Sequence, residues 1–329
     1  MRKTQWQPLA RYCLKHKYKR HIPLDSSLHH FLRSNEWQHL HLSSAFIAQK
    51  HQAAKLQKGF SSRSSEGRTF VYSGSREGDP VAALLSWSEY GRLLFDCCHL
   101  RTQPPRPHRG HAGSQEVLPY LPLRELKDLL GKYDIRQFIG TYSHYEFLRH
   151  YHDFPADVQE YWIMLRNASH SLASFHPAEK NGLPSGLTLS RLDSRHWDQL
   201  FCLEQAYYTE EVPPFRMSPS LEKALRKTAA KRLENFLQYG VFAGKELVAR
   251  AMINAYGLSY WQIGGIYTKP EWRRQGWANA LLQKLCASIE AAGRLPVLFV
   301  RRENQAAMHL YENHVFERLE RMVIAQHPR

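Results

Sequence analysis

One stretch constrains this chain more than any other: a strand-like run, Tyr260 to Tyr267, passes through Thr268-Lys269-Pro270 and a basic turn into an amphipathic helix. The run carries Gly264 and Gly265, and the turn reads Glu271-Trp272-Arg273-Arg274-Gln275-Gly276. Beyond it, Ala278, Leu281, Leu282, Leu285, Cys286 and Ile289 recur at helical spacing, which predicts a helix with one apolar face turned to a core. A strand entering a helix through glycine makes an anion site. The N–H groups of the first helical turn have no partner within the helix and lie at the positive end of its dipole. Gly276 puts no Cβ in the way of a phosphate, Ala278 is small, and Arg273 and Arg274 add cationic donors. Taken alone, a basic loop before a helix is usually solvated charge, so the neighbouring elements decide its meaning.

Those elements alternate strand and helix. Residues 187–192 alternate as a half-buried strand, Asp193 or Ser194 can cap a helix through Tyr207, and Pro219 and Ser220 open a second, basic helix towards Phe236. Strand signals at 240–243 and 248–255 join the 260–267 run through turns at Gly244-Lys245 and Tyr256-Gly257. After Gly293 come an apolar strand at 297–300 and a helix that Asn304 can cap, containing Ala306, Ala307, Leu310 and Tyr311. The N-terminal half reads as an antiparallel meander (69–74, 81–87, 92–98), a Pro/Gly loop (103–113), a helix on Leu123 to Leu130, a strand (137–140), a helix (145–152) and an apolar run (161–165). The expected fold class is α+β. It divides into a basic arm (1–24), an N-terminal α+β domain (25–173), a linker (174–186) and a C-terminal domain (187–329).

A length of 329 residues exceeds the usual single domain, and 45 Lys and Arg against 30 Asp and Glu give a formal charge of +15. That excess favours acidic partners without naming one, and no RRM, KH or helix-turn-helix signature accompanies it, so nucleic acid is not the expected partner. No apolar run is long enough for a membrane span or a signal peptide, so a cytoplasmic protein is expected. The five cysteines lack zinc-site spacing, and the nineteen histidines lack an HExxH or CxxC context, so they are read as scattered surface residues and no metal is expected.

Arg273-x-x-Gly276-x-Ala278 resembles the coenzyme A pyrophosphate motif of the GNAT superfamily of N-acetyltransferases, and Asn304-x-x-Ala307-x-x-Leu310-Tyr311-Glu312 resembles the motif that follows it. In element order the similarity covers residues 187–329. The segments QIGGIYTKPEWRRQGWA and LFVRRENQAAMHLYENHVF resemble a group of predicted two-domain GNAT acetyltransferases. Val315 departs from the pattern, because the family usually has glycine before the phenylalanine matching Phe316.

The resemblance implies a C-terminal GNAT fold, a mixed sheet flanked by helices; the element order of the N-terminal half echoes it, so a degenerate GNAT-like repeat is expected there, without a cofactor loop because residues 103–113 contain prolines where helical N–H donors would be wanted. It implies acetyl-CoA as co-substrate and direct attack on the thioester by a primary amine. Backbone groups of a splayed strand at Ile266, Tyr267 and Thr268 would face the pantetheine arm and thioester carbonyl. Arg273, Arg274, Gln275, Gly276, Trp277 and Ala278 would hold pyrophosphate, with Asn304 and Ala307 along the arm. Tyr311 would protonate the leaving thiolate, and Glu210 or Glu211, placed between the first two helices, would take the proton of the ammonium. A non-catalytic acyl-CoA sensor and a basic nucleic-acid-binding protein are the rival readings. The acceptor, a small-molecule or protein amine, is not readable.

Overall fold

The computed structural model describes residues 68–72, 83–87, 92–97, 135–154, 157–166, 187–211 and 218–326, with Arg33, Glu36, Lys127, Leu130 and Gly131. The arm at 1–24, the loop at 103–113 and the linker at 174–186 lie outside them. The chain forms two compact units, one of Met1–Ile163, Val300–Glu303 and Arg318–Arg329, the other of Met164–Phe299 and Asn304–Glu317. Among the described residues no helix is long and apolar enough to cross a membrane.

In the first unit the meander forms as its alternation predicts. β1 (Arg68–Tyr72), β2 (Ala83–Trp87) and β3 (Arg92–Cys97) pair antiparallel, with Phe70 opposite Leu85 and Leu85 opposite Phe95. β4 (Gln137–Thr141) lies parallel to β3 and leads straight into α1 (Tyr142–Leu148). That helix starts earlier than the 145–152 periodicity indicates. The Thr141 hydroxyl accepts the His144 N–H at 3.3 Å and nucleates the first turn at the strand's end. β5 (Asp157–Arg166) extends the apolar run at 161–165 in both directions, and the last strand of the chain, Phe316–Gln326, pairs antiparallel with β4 through Ile324 opposite Ile139.

After β5 the second unit continues with β6 (Leu187–Arg191). Asp193 then caps a short 3-10 turn, its carboxylate accepting the Arg195 N–H at 3.0 Å, and α2 (Trp197–Glu211) continues from it. α2 runs past Tyr207, so Glu210 and Glu211 occupy its last turn rather than a connection between helices. No breaker precedes Pro213, and a proline disfavours helical geometry only in the residue just before it. α3 (Pro219–Asn235), β7 (Gln238–Ala243), β8 (Glu246–Tyr256), β9 (Tyr260–Thr268), α4 (Trp277–Ala291), β10 (Leu295–Arg301), α5 (Gln305–Asn313) and β11 (Phe316–Gln326) complete the order.

The sheet of this unit runs β10-β9-β8-β7-β6, antiparallel from β6 to β9 and parallel between β9 and β10. A parallel join needs a crossover, which α4 supplies. Residues 247–253 of β8 are buried without alternation, which requires cover on both faces of the sheet. α2 packs on β8 and β9, and α4 packs on β7, β8 and β9. The α4 stripe of Trp277, Leu281, Leu282, Leu285, Cys286 and Ile289 is buried throughout, as its spacing predicts.

Two histidines are core residues rather than surface ones: His144 is fully buried and His314 is 3% exposed. His314 ends α5, and its Nε2 meets Asn279 Oδ1 in the first turn of α4. Burial, with the positive charge of Arg166 second, holds its pKa down at about 4. Arg166 is itself 3% exposed and paired with Glu290 at 2.8 Å. Burial likewise pushes the Cys286 thiol up to about 12, so it packs as a small hydrophobe.

The helix ends differ in one respect. At the end of α4 the Gly293 N–H donates to Glu290 O at 2.8 Å and the Arg294 N–H to Ile289 O at 3.1 Å, with Gly293 in the left-handed region at φ 67°. At the end of α5 the Val315 N–H donates to Glu312 O at 3.0 Å, and Val315 occupies the same left-handed position at φ 62°. The turn therefore keeps the geometry a glycine would give, with a β-branched residue strained into it.

Relieving that strain with Val315→Gly is expected to raise stability by about 1 kcal/mol, read as a higher Tm in thermal unfolding. His314 predicts an acid-sensitive window. With its folded pKa about 4 against 6.5, the unfolded chain takes up a proton that the folded chain refuses, so stability falls as pH drops from 6.5 to 4 and levels off below that. Denaturant titrations across this range should show the slope, and His314→Gln should flatten it.

Candidate functional site

The site grows out of an irregularity in β9. Its parallel pairing with β10 runs from Tyr260 opposite Leu295 to Ile263 opposite Leu298 and stops there, although β9 continues to Thr268. On its other edge the register with β8 slips: Arg250 faces Tyr267 while Met252 faces Gly264, so β9 holds one residue more than β8 over the interval. The bulge falls at Gly265, in the left-handed region at φ 58°. A side chain there is excluded twice, because a Cβ would also stand 2.7 Å from a guanidinium nitrogen of Arg250. A bulge bends its strand, and here it coincides with the parting of β9 from β10. Ile266, Tyr267 and Thr268 thus lie on a strand edge that β10 does not pair.

Where β9 ends, a short 3-10 turn (Pro270–Trp272) leads through Arg273 and Arg274 to Gly276, the N-cap of α4. Arg274 and Gly276 both take positive φ, 59° and 86°, which turns the backbone sharply into the helix. Gly276 supplies no side-chain acceptor to the first-turn N–H groups, and the space where its Cβ would point is open to 4 Å. α5 is built otherwise: the Asn304 carboxamide accepts the Ala307 N–H at 3.0 Å. Asn304 and Ala307 are thus joined to each other as a helix cap. The Trp277 indole is buried in the core and donates to Gln275 Oε1 at 3.3 Å, so this pair braces the loop from below.

Arg273 is engaged by protein groups. Its Nε donates to the Thr268 carbonyl at 3.0 Å, its Nη2 to Glu210 Oε2 at 2.6 Å, and the guanidinium lies 5.6 Å from the centre of the Tyr267 ring. Tyr267 has its phenol pushed up, first by burial and then by Glu210, with Arg273 opposing. Its ring meets Tyr207 edge-on at 6.3 Å. Tyr311 feels Tyr207 and Glu211, and burial with those two neighbours holds its phenol well above the ordinary tyrosine range.

Contacts thereby join Tyr207, Tyr267, Arg273 and Glu210 at the end of β9, and Tyr311 is linked to them through the electrostatic influence of Tyr207 and Glu211 on its phenol. Tyr207 was missed as a site residue by sequence reasoning. Its place in Tyr207-Tyr208-Thr209-Glu210-Glu211 carries no spacing that separates it from a helix-packing aromatic, and only its contacts on three sides reveal it.

Residues 197–316 match the family model "Acetyltransferase (GNAT) family". No curated protein matches. Among solved structures, a Drosophila protein shares 12% identity over 99% of both chains with a TM-score of 0.61. A tandem GNAT protein from the clavulanic acid biosynthesis pathway shares 13% identity over 92% of this chain and 94% of its own, with a TM-score of 0.53. A GNAT-family acetyltransferase from Novosphingobium aromaticivorans is 22% identical, with a TM-score of 0.39, and the match covers 52% of this chain and 64% of that one. At these identities the likeness to the Drosophila and clavulanic acid pathway proteins speaks for the fold alone. With its mixed, helix-flanked sheet, the C-terminal part of the chain is thus similar to the GNAT acetyltransferases over residues 197–316.

Proposed function

We propose that the C-terminal domain is an N-acetyltransferase that moves an acetyl group from acetyl-CoA to a primary amine by direct attack. The observation that carries this reading is the unpaired edge of β9 at the Gly265 bulge, which leads within a few residues to the uncapped N-terminus of α4. The two features match the two ends of the co-substrate. The first-turn N–H groups of α4, with the open space at Gly276, suit a pyrophosphate, and the Ile266 and Thr268 amides, on the edge away from β8, suit the pantetheine arm and thioester carbonyl. Acetyl-CoA supplies an activated acyl carbon and a thiolate leaving group.

The rest of the chemistry falls to this chain. A β9 N–H aimed at the carbonyl oxygen stabilises the negative charge that develops there as the amine attacks. Tyr311, kept protonated by burial, donates its phenolic proton to the departing sulfur. Glu211 or Glu210 takes the proton of the incoming ammonium, and the two differ in setting. Glu210 is held by Arg273, whereas Glu211 is one of the charges that act on Tyr311. Arg273 in turn anchors the start of the phosphate loop to the end of β9 through the Thr268 carbonyl.

Thiol release from acetyl-CoA across a panel of primary amines tests the reading. Turnover with at least one amine is expected, and cofactor binding with no turnover on any amine would leave an acyl-CoA sensor instead. Tyr311→Phe should keep coenzyme A affinity and lower kcat by about a hundredfold or more. Gly276→Val forces a β-branched residue to φ 86° and fills the open space, so it should weaken coenzyme A binding in titration and raise KM for acetyl-CoA. Because the Tyr311 phenol is raised above 10.0, kcat of the wild-type chain should show no loss from phenol deprotonation up to that pH.

A further inference from the structure

Beneath Gly265 lies a buried ion pair to which the acyl-transfer reading gives no role. Arg250, on β8, is 0% exposed and Glu204, on α2, is 1% exposed, with Nη1 and Oε1 3.1 Å apart. The same Nη1 reaches Met252 Sδ at 3.5 Å and is the atom that a Cβ at Gly265 would strike. The Tyr207 ring covers the guanidinium from 5.2 Å. Arg250 Nε and Nη2 and both Glu204 carboxylate oxygens are buried without a hydrogen-bond partner, so the pair meets as charges without hydrogen-bond geometry. Withdrawing two charges from water costs more than so sparse a set of contacts returns, and an apolar pair of similar volume is often at least as stable. Stability therefore does not account for the pair. Its position does, because both strands change register over this interval and the guanidinium fills the space under the left-handed residue.

We propose that Arg250, held in place by Glu204, is a positioning residue for acyl transfer: its guanidinium props the Gly265 bulge and fixes the line along which residues 264–268 present their amides. The proposal rests on reading that segment as the thioester-facing edge. A planar guanidinium held between the Glu204 carboxylate, Met252 Sδ and the Tyr207 ring has fewer orientations under the bulge than a flexible apolar side chain of similar length.

The full-length chain is compared with the double variant Glu204→Leu/Arg250→Met and with Arg250→Lys. The measurements are thermal unfolding, coenzyme A titration, kcat and KM in the thiol-release assay, and amide hydrogen exchange over residues 260–268. For the double variant, Tm and coenzyme A affinity are expected to change little, since the phosphate loop is untouched, while exchange at 264–268 quickens. Its kcat should fall by about tenfold to a hundredfold with KM for acetyl-CoA nearly unchanged, as a misplaced stabilising donor requires. Arg250→Lys, which keeps the charge without the planar fork, should give an intermediate kcat, and it decides the question should the double variant fail to fold. A folded variant with wild-type kcat, or with unaltered exchange at 264–268, overturns the proposal. If the wild-type chain releases thiol with no amine, the acyl-transfer reading fails and the exchange data alone decide whether Arg250 props the bulge.

Discussion

The candidate site depends on one extra residue in β9. A regular strand would keep its ladder with β10 to the end, and every N–H along that edge would be taken. Inserting Gly265 at φ 58° ends the regularity while β8 still holds the other edge, through Tyr267 opposite Arg250 and Thr268 opposite Ala249. The strand is thus anchored on one side and open on the other. Only glycine satisfies both demands at this point, the left-handed backbone and the absence of a Cβ above Arg250.

The helix that follows shows a related economy. Asp193, Thr141 and Asn304 each lend a side-chain oxygen to the start of a helical turn. α4 begins on glycine and receives no such oxygen. Glycine in place of a capping side chain costs only about a few tenths of a kcal/mol. The six buried side chains of the α4 stripe offset that readily, since each fully buried large apolar side chain is worth about 1.5–3 kcal/mol. A helix so firmly packed can begin with its amides uncommitted, and those amides are what an anionic ligand needs.

Much of this was legible in the sequence because it rests on short-range rules. The periodicity of Leu281, Leu282, Leu285 and Ile289, the asparagine at 304 and the glycines at 264, 265 and 276 each act on their own neighbourhood. The strands of the C-terminal part fell within a few residues of their signals for the same reason. What the sequence left unread lies between residues far apart in the chain. Nothing local marks Glu204 as the partner of Arg250, His314 as the partner of Asn279, or Glu210 as the group that occupies Arg273. Tyr207 looked like one aromatic among many, and α2 ran one turn further than its apolar pattern. Val315 shows the opposite case, a residue whose identity argues against the left-handed turn that the surrounding fold nevertheless imposes.

The contact between His314 and Asn279 joins the C-cap of α5 to the first turn of α4. Tyr311 stands one helical turn before that joint, and the uncommitted amides stand at it. The two helices are therefore coupled at their adjoining ends, and under the proposed function a shift of the α4 tip on taking up a ligand would be carried towards Tyr311. In mechanical terms the imidazole acts as a tie rod between the start of α4 and the end of α5.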